Sequence, residues 1–365
     1  MNKLVTIIIP TLNEENYILN CLKSVLNFII PEDFNIEIII SDGMSTDNTR
    51  EIILSNFSNK LVKIIDNVEK FQANGINKAI LLSKGQYIMR LDAHAIYPND
   101  YLLQCIRLSE QTDADNCGGI VITLNDGNGF EASLVQAMTT HKFGVGNSAF
   151  RTESIRGIVD TVPFGFFKKN IFEQIGLFDE RLVRCQDYEF NQRIVKNGGK
   201  IWMDSRIYSK YYNQPTLKSF YIKQFFKEAP YNPYMWYLAP YAFAIRHAIT
   251  GLFTSGVILG AFLSIIFPKI AIIYKTILFI YLIFAFFSSI QQAIRLKNAF
   301  FIFILPFCFF LYHFIHGAGI IIGAYKILIN KSPVQNNNKL WENSDKFYNL
   351  NFAKQKYLPK NNIIK

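Results

Sequence analysis

Four short apolar runs, separated by stretches with helical spacing, constrain this chain more than any other feature. Leu4–Ile9 is an unbroken, mostly β-branched run closed by Pro10, and Ile36–Ile40, Val62–Ile65 and Tyr87–Leu91 repeat the pattern. Short apolar runs bounded by turn residues suit strands buried on both faces. Between them, Tyr17–Phe28, Asp47–Asn56 and Gln72–Leu82 carry apolar residues at helical spacing, with Asn13 or Glu14 as cap of the first and Gly85 just past the third. Strand and helix alternating at this spacing predict βαβ units and a parallel sheet. Ligands of such a sheet gather at the carboxyl ends of its strands. Two of those ends are acidic here, at Asp42 and at Asp92. Downstream, 113–170 is less regular, with 125–130 and 144–151 read as loops and 163–168 as an apolar aromatic stretch. A helix within 180–197 stops at Gly198-Gly199, and Ile201–Met203 is a last short strand.

The second half turns apolar. Half of the 365 residues are hydrophobic, and the 33 Phe and 19 Tyr concentrate after residue 205. The net charge is +10, yet Lys and Arg are scattered among aromatics without a basic block, which points to an anionic membrane surface and not to nucleic acid. Five cysteines at wide spacing, with no Cys-x-x-Cys, argue against a disulfide framework or zinc site. The first apolar run is too short for a secretory signal, so the N-terminal part is expected in the cytoplasm. Ile249–Phe267 is uncharged over about the ~20 residues a bilayer requires. A second span centres on Thr276–Ser289. Ala299–Ile329 is a third segment, broken by Pro306, Gly317, Gly319 and Gly323, and reads either as one kinked span or as a tight hairpin. The expected organisation is a catalytic domain over 1–230, an interfacial amphipathic segment over 216–246, three or four transmembrane helices within 247–329, and a polar, poorly ordered tail over 330–365. In the amphipathic segment Leu217, Phe220, Tyr221, Gln224 and Phe225 share a face. Arg246 and the lysines upstream of it put the catalytic domain inside. The side of the tail depends on whether the third segment is a span or a hairpin.

The candidate chemistry sits at the strand ends. Asp92 and His94, spaced i and i+2, point to one face and can hold Mg²⁺ or Mn²⁺ against a diphosphate. A cation there neutralises charge on a departing diphosphate. Asp42 can accept a hydrogen bond from a nucleotide base, or cap the helix that follows. The loop Pro10-Thr-Leu-Asn-Glu14-Glu15 supplies Pro10 and Glu14 as further nucleotide contacts, Glu14 to a ribose or base; decoration of a helix N-terminus is the plainer reading of Glu14. Asp187 is the candidate general base for a sugar hydroxyl. Asp160 either shapes an acceptor pocket or caps a turn. His313 and His316 lie in an apolar segment without a carboxylate nearby, where a polar contact inside a helix bundle explains them better than a metal.

Taken jointly, Val5-Thr-Ile-Ile-Ile-Pro-Thr-Leu-Asn-Glu-Glu15, Ser41-Asp-Gly-Met-Ser-Thr-Asp-Asn-Thr49, Arg90-Leu-Asp-Ala-His94 and Gln186-Asp-Tyr-Glu-Phe-Asn191 resemble glycosyltransferase family 2 over residues 1–230. The resemblance implies an α/β GT-A fold, Rossmann-like with a mostly parallel sheet, followed here by C-terminal transmembrane helices. Gly144-Val-Gly-Asn147, Val159–Gly165 and His313–Gly319 are similar to the succinoglycan-type glucosyltransferases of bacterial exopolysaccharide assembly. The resemblance implies inverting transfer of a sugar from a nucleotide diphosphate donor, UDP-glucose or a similar UDP-sugar, to a saccharide on a polyprenyl diphosphate lipid. Such an enzyme works at the cytoplasmic face of a bacterial inner or plasma membrane. Asp42 would hold the base, Asp92 and His94 the metal, and Asp187 would take the acceptor proton. Two positions depart from the family pattern. Asp-Ala-His stands for the commoner Asp-x-Asp, and Gln186 stands where Glu often precedes the catalytic Asp. Gln224-Phe-Phe-Lys227 matches the Gln-x-x-Arg-Trp motif of processive synthases only loosely, which favours addition of a single sugar. A processive synthase, or an inactive membrane-anchored sugar-binding or assembly protein, are the alternatives.

Overall fold

The computed structural model describes residues 2–57, 61–124, 129–152, 155–335 and 348–358. The chain groups into two compact units, Met1–Ile122 with Glu153–Tyr211 and Asn337–Lys365, and Thr123–Thr152 with Tyr212–Asn336. Neither is one contiguous stretch, so the division differs from a single cut near residue 230.

The first unit is α/β. It opens with β1 (Lys3–Thr11), α1 (Ile18–Leu26), β2 (Phe34–Asp42), α2 (Thr49–Asn56), β3 (Val62–Asp66), α3 (Gln72–Leu82) and β4 (Tyr87–Arg90). These seven elements fall where the hydrophobic pattern puts them. In α1 the buried residues are Ile18, Cys21, Leu22 and Val25, the i, i+3, i+4, i+7 stripe of a helix lying on a sheet. In β1 the run Val5–Ile9 is buried throughout, as a central parallel strand requires. β1 pairs in parallel with β2 on one side and β4 on the other, and β2 pairs in parallel with β3.

Beyond β4 the sheet becomes mixed. It adds β5 (Ala95–Ile96), α4 (Tyr101–Thr112), β6 (Asn116–Leu124) and, after the insertion that belongs to the second unit, β7 (Arg156–Ile158) and β8 (Phe166–Lys168). β8 lies antiparallel between β4 and β6, and β9 (Ile201–Tyr212) pairs antiparallel with β5 and β7. Among the described residues the sheet has nine strands, with β3-β2-β1-β4-β8-β6-β9-β5 as its main path. The aromatic stretch 163–168 is thus mostly strand. β9 is far longer than the three residues its apolar start suggests, because it runs on as an alternating strand into Tyr211 and Tyr212.

The second unit holds α5 (Phe130–Thr139), short turns α6 (Lys142–Val145) and α7 (Ala149–Thr152), and then α8 (Leu217–Lys223) with a π turn at Gln224–Glu228. The chain continues through α9 (Tyr231–Leu238), α10 (Ile245–Ile266), α11 (Pro268–Arg295) and α12 (Phe301–Leu328). The expected loop over 144–151 is therefore partly helical; residues 125–128 lie outside the described residues. The face of α8 that reads as amphipathic is covered by protein. Phe220 is buried in a cluster with Val135 and Met138 of α5 and with Leu305, Phe309 and Tyr312 of α12, and Leu217 and Tyr221 pack against it. The third apolar segment is one continuous helix, α12, with Pro306 inside it.

The tail also departs from expectation. Leu350–Tyr357 forms α13, which packs on α3 of the first unit. Tyr357 Oη donates to Glu180 Oε1 at 2.7 Å, and Lys356 Nζ reaches Glu180 Oε2 at 2.7 Å. The helix mixes apolar and polar residues, with Ala353 buried and Lys356 and Tyr357 held by Glu180.

Candidate active site

The site is built on the ends of β1, β2 and β4 and on the first turn of the helix Gln186–Lys196. β4 ends at Arg90, but the alternation continues past it. Leu91, Ala93 and Ala95 are buried, while Asp92 and His94 are partly exposed between them. Side chains at alternate positions share a face, so Arg90, Asp92 and His94 form one row.

Arg90 is the centre of that row. Its guanidinium is buried and lies 2.8 Å from Asp92 Oδ1 and 3.4 Å from Asp187 Oδ2. It also sits over the Phe164 ring, 5.6 Å from the centroid. One cation therefore bridges the candidate metal ligand and the candidate base, which are 95 positions apart in the sequence. Gln72, at the start of α3, donates to Asp92 Oδ1 at 3.2 Å and accepts from Gln186 Nε2 at 2.6 Å. Gln186 thus ties the helix of Asp187 to the carboxylate of Asp92. Phe164 and Cys185, which precede β8 and that helix, both hold left-handed backbone angles, with φ of 41° and 65°. Such angles are costly for side chains of this kind and cluster at functional sites.

More than a third of the Asp187 side chain reaches solvent. Even so, the protein packed around it raises its carboxyl above the ordinary value. The Arg90 guanidinium opposes that rise, the Asp92 charge adds to it, and Arg184 lowers it. Asp160 is a neighbour of the same helix, accepting from Tyr188 Oη at 3.4 Å.

His94 is held at both nitrogens. Nδ1 is 3.0 Å from Glu14 Oε1, and Nε2 is 3.0 Å from Tyr211 Oη. Tyr211 arrives because it lies opposite Ala95 in the β5–β9 pair. Glu14 therefore faces the histidine. An imidazole whose one N–H donates to a carboxylate presents the lone pair of its other nitrogen, the usual arrangement behind a metal-bound histidine. Asp92 receives its contacts on Oδ1, and among the described residues no hydrogen bond reaches Oδ2. One imidazole nitrogen and one carboxylate oxygen fit a divalent cation, with Tyr211 Oη as the group that must yield. Among the described residues no three His, Cys, Asp or Glu side chains close on one point. By themselves Asp92 and His94 make two donors and no closed cluster.

Asp42 is different. Its side chain is fully buried, and Thr11 Oγ1, Ser45 Oγ, Ser45 N–H and Arg50 all reach its carboxylate at 2.6–3.3 Å. These contacts fasten the loop after β2 against the end of β1, where Gly43 N–H also donates to Thr11 O at 2.7 Å. Pro10 lies opposite Ser41 in the same strand pair.

Arg90, Gln72 and Tyr211 are the residues that the sequence reading missed. A charge inside an otherwise apolar strand, in phase with Asp92 and His94, was the available signal for Arg90. Nothing local marks Gln72 or Tyr211.

Asp92 and His94 past the end of β4, with Asp187 on the neighbouring helix, gather at one edge of a mixed α/β sheet, the GT-A-type architecture. The Glycosyl transferase family 2 model matches residues 6–176. A dolichyl N-acetyl-α-D-glucosaminyl phosphate 3-β-D-2,3-diacetamido-2,3-dideoxy-β-D-glucuronosyltransferase of Methanococcus voltae is 31% identical over 336 residues, covering 88% of this chain and 97% of the relative. The chain belongs to glycosyltransferase family 2. The succinoglycan biosynthesis protein ExoA of Rhizobium meliloti is 30% identical over 216 residues, 58% of this chain and 64% of the relative. Among solved structures, S. aureus TarS 1-349 in complex with UDP-GlcNAc aligns over 87% of this chain and 90% of its own, at 15% identity and a TM-score of 0.45.

Proposed function

We propose that this chain is a membrane-anchored, inverting glycosyltransferase. It moves a sugar from a UDP-linked donor, UDP-glucose or a similar hexose, to a saccharide carried on an isoprenoid lipid phosphate. The single observation that carries the reading is Arg90, which holds Asp92 and Asp187 within reach of one another and so joins a leaving-group site to a base. The M. voltae relative is named for a dolichyl phosphate-linked acceptor, and the R. meliloti relative for succinoglycan biosynthesis. The first name supports a lipid-linked acceptor, and the second a role in polysaccharide biosynthesis. Three helices long and apolar enough to cross a bilayer support anchoring.

In this reading Asp187 accepts the proton of the acceptor hydroxyl as its oxygen bonds to the anomeric carbon. The bond from that carbon to the donor diphosphate breaks on the opposite side, which inverts the configuration. Asp92 and His94 would hold a Mg²⁺ or Mn²⁺ ion, which supplies charge neutralisation for the diphosphate. Glu14 keeps His94 in the tautomer that presents Nε2. Arg90 orients Asp187 and opposes the rise of its carboxyl pKa. Asp42, with no accessible oxygen, acts on the nucleotide through the loop it fastens, which together with Pro10 forms the floor for the base.

The test is the purified full-length enzyme in detergent, incubated with a panel of UDP-sugars and a polyprenyl phosphate-linked sugar. Release of UDP that depends on the acceptor is expected for one donor. Asp187→Asn is expected to lower turnover about 10²–10⁴-fold while UDP-sugar binding survives. Wild-type turnover in that variant removes Asp187 from the base role.

A further inference from the structure

The helix Gln186–Lys196 begins with two neighbours that face different surroundings. Gln186 is buried, whereas more than a third of the Asp187 side chain reaches solvent. A buried amide is costly unless its polar atoms find partners. The partners of Gln186 lead back to the candidate metal ligand.

They close a ring. Gln186 Nε2 donates to Gln72 Oε1 at 2.6 Å, and Gln72 Nε2 donates to Asp92 Oδ1 at 3.2 Å. Arg90 lies 2.8 Å from the same Oδ1 and 3.4 Å from Asp187 Oδ2, and Asp187 follows Gln186 in the chain. The circuit therefore runs from Asp92 through Gln72, Gln186, Asp187 and Arg90 back to Asp92. The Asp92 main chain is fixed separately. Its N–H donates to Tyr97 Oη at 2.9 Å, and Tyr97 Oη donates to its carbonyl at 3.1 Å. Both side-chain contacts of Asp92 fall on Oδ1, and among the described residues none falls on Oδ2.

One end of the ring dictates the direction of donation. An ionised carboxylate only accepts, so Gln72 turns its NH₂ to Asp92 and its oxygen to residue 186. Residue 186 must then be a donor. Glutamine donates. An ionised glutamate of the same length would set a carboxylate against the Gln72 oxygen, or turn Gln72 round and set that oxygen against Asp92. Gln186, which departs from the family pattern, is thus the residue that Gln72 requires. Charge agrees with this. Asp92 and Asp187 already share the buried guanidinium of Arg90, and a third carboxylate would add repulsion where screening is poor.

We propose, on the metal role given above to Asp92 and His94, that Gln186 is a positioning residue for the cation. As a donor acting through Gln72, it keeps Asp92 Oδ1 engaged and so leaves Oδ2 for Mg²⁺ or Mn²⁺. Gln186 itself touches neither substrate nor metal. Outer partners of this kind set the orientation of a ligand, and their loss weakens metal binding by about 10–100-fold.

The test is equilibrium dialysis of the purified full-length protein in detergent against Mn²⁺ and UDP, read as excess Mn²⁺ on the protein side, with Tm measured alongside. Gln186→Met and Gln72→Met keep the side-chain length and remove the amide. Each is expected to loosen Mn²⁺ by about 10–100-fold. The double variant is expected to match either single one within about twofold, because both break the same line, whereas independent effects multiply. Gln72 is only partly buried, so its variant reads the line even where Gln186→Met fails to fold. A purely structural role lowers Tm and leaves the Mn²⁺ affinity of the folded variants at the wild-type value. That result, or multiplication in the double variant, overturns the positioning role. Asp92→Asn separates the two levels. Loss of Mn²⁺ in Asp92→Asn beside wild-type affinity in both Met variants removes the positioning role alone. Wild-type Mn²⁺ affinity in Asp92→Asn removes the metal role on which it stands.

Discussion

At the residue scale, Arg90 governs two carboxylates at once, and its removal has a signed consequence. Burial raises the Asp187 carboxyl, and Arg90 pulls it back. With Asp187 as the proposed base, its ionised form is lost as pH falls through that raised value, so kcat/KM is expected to show an acid limb above the range of an ordinary aspartate. Arg90→Met removes the opposing charge, so the limb moves to higher pH. The substitution also leaves Asp92 without its cation, at a cost of up to about 3–5 kcal/mol, which a fall in Tm records. An unmoved acid limb separates Arg90 from the base. The histidine makes a second prediction. Glu14→Gln weakens the hold on Nδ1–H and should loosen Mn²⁺ binding about 10–100-fold. Tyr211→Phe removes the hydroxyl that competes for Nε2 and should bind Mn²⁺ at least as tightly as wild type. Titration followed by electron paramagnetic resonance reads both without turnover. Arg90, Asp92 and His94 were legible as alternate positions in one run. The Glu14–His94–Tyr211 line was not, because it joins three strand or loop ends 14, 94 and 211 residues along the chain.

At the scale of elements, the parallel strands and the helices between them were legible because each carries its own period. The apolar region was legible in composition and not in arrangement. Gly317, Gly319 and Gly323 look like breaks in a row of apolar residues, yet α12 runs through them. They are surfaces of close approach. A Cβ on Gly317 would lie 2.0 Å from Thr250 O and 2.2 Å from Thr254 Oγ1. Gly317→Ala is therefore expected to push α10 off α12 and to destabilise the helical unit by about 1–3 kcal/mol. Thermal unfolding in detergent measures this, and UDP-sugar binding should be unchanged at low temperature. Gly144 repeats the device, with a Cβ that would meet Met138 O at 2.0 Å and Phe309 at 3.1 Å. The motif around Gly144 packs on α12, the helix that carries the distant motif His313–Gly319.

At the scale of the whole molecule, the C-terminal segment completes the α/β unit. Lys356 and Tyr357 meet Glu180, which also accepts from Asn74 and Asn77 of α3, and Tyr348 covers Arg193. Truncation after Gln335 strips these partners from buried or half-buried polar groups, so the Tm of the catalytic unit should fall, and an unchanged Tm refutes the docking. The sequence by itself determined the alternation of strand and helix, the acidic strand ends, the apolar region and the family. Each of these is written within a few neighbouring residues, as a period, a composition or a motif. Only the tertiary structure decided that Arg90 joins Asp92 to Asp187, that Asp42 is sealed beneath its loop, that residues 123–152 pack with the apolar helices, and that the polar tail returns to the sheet. Those outcomes depend on pairings between distant segments, whose geometry arises from packing and carries no local signature.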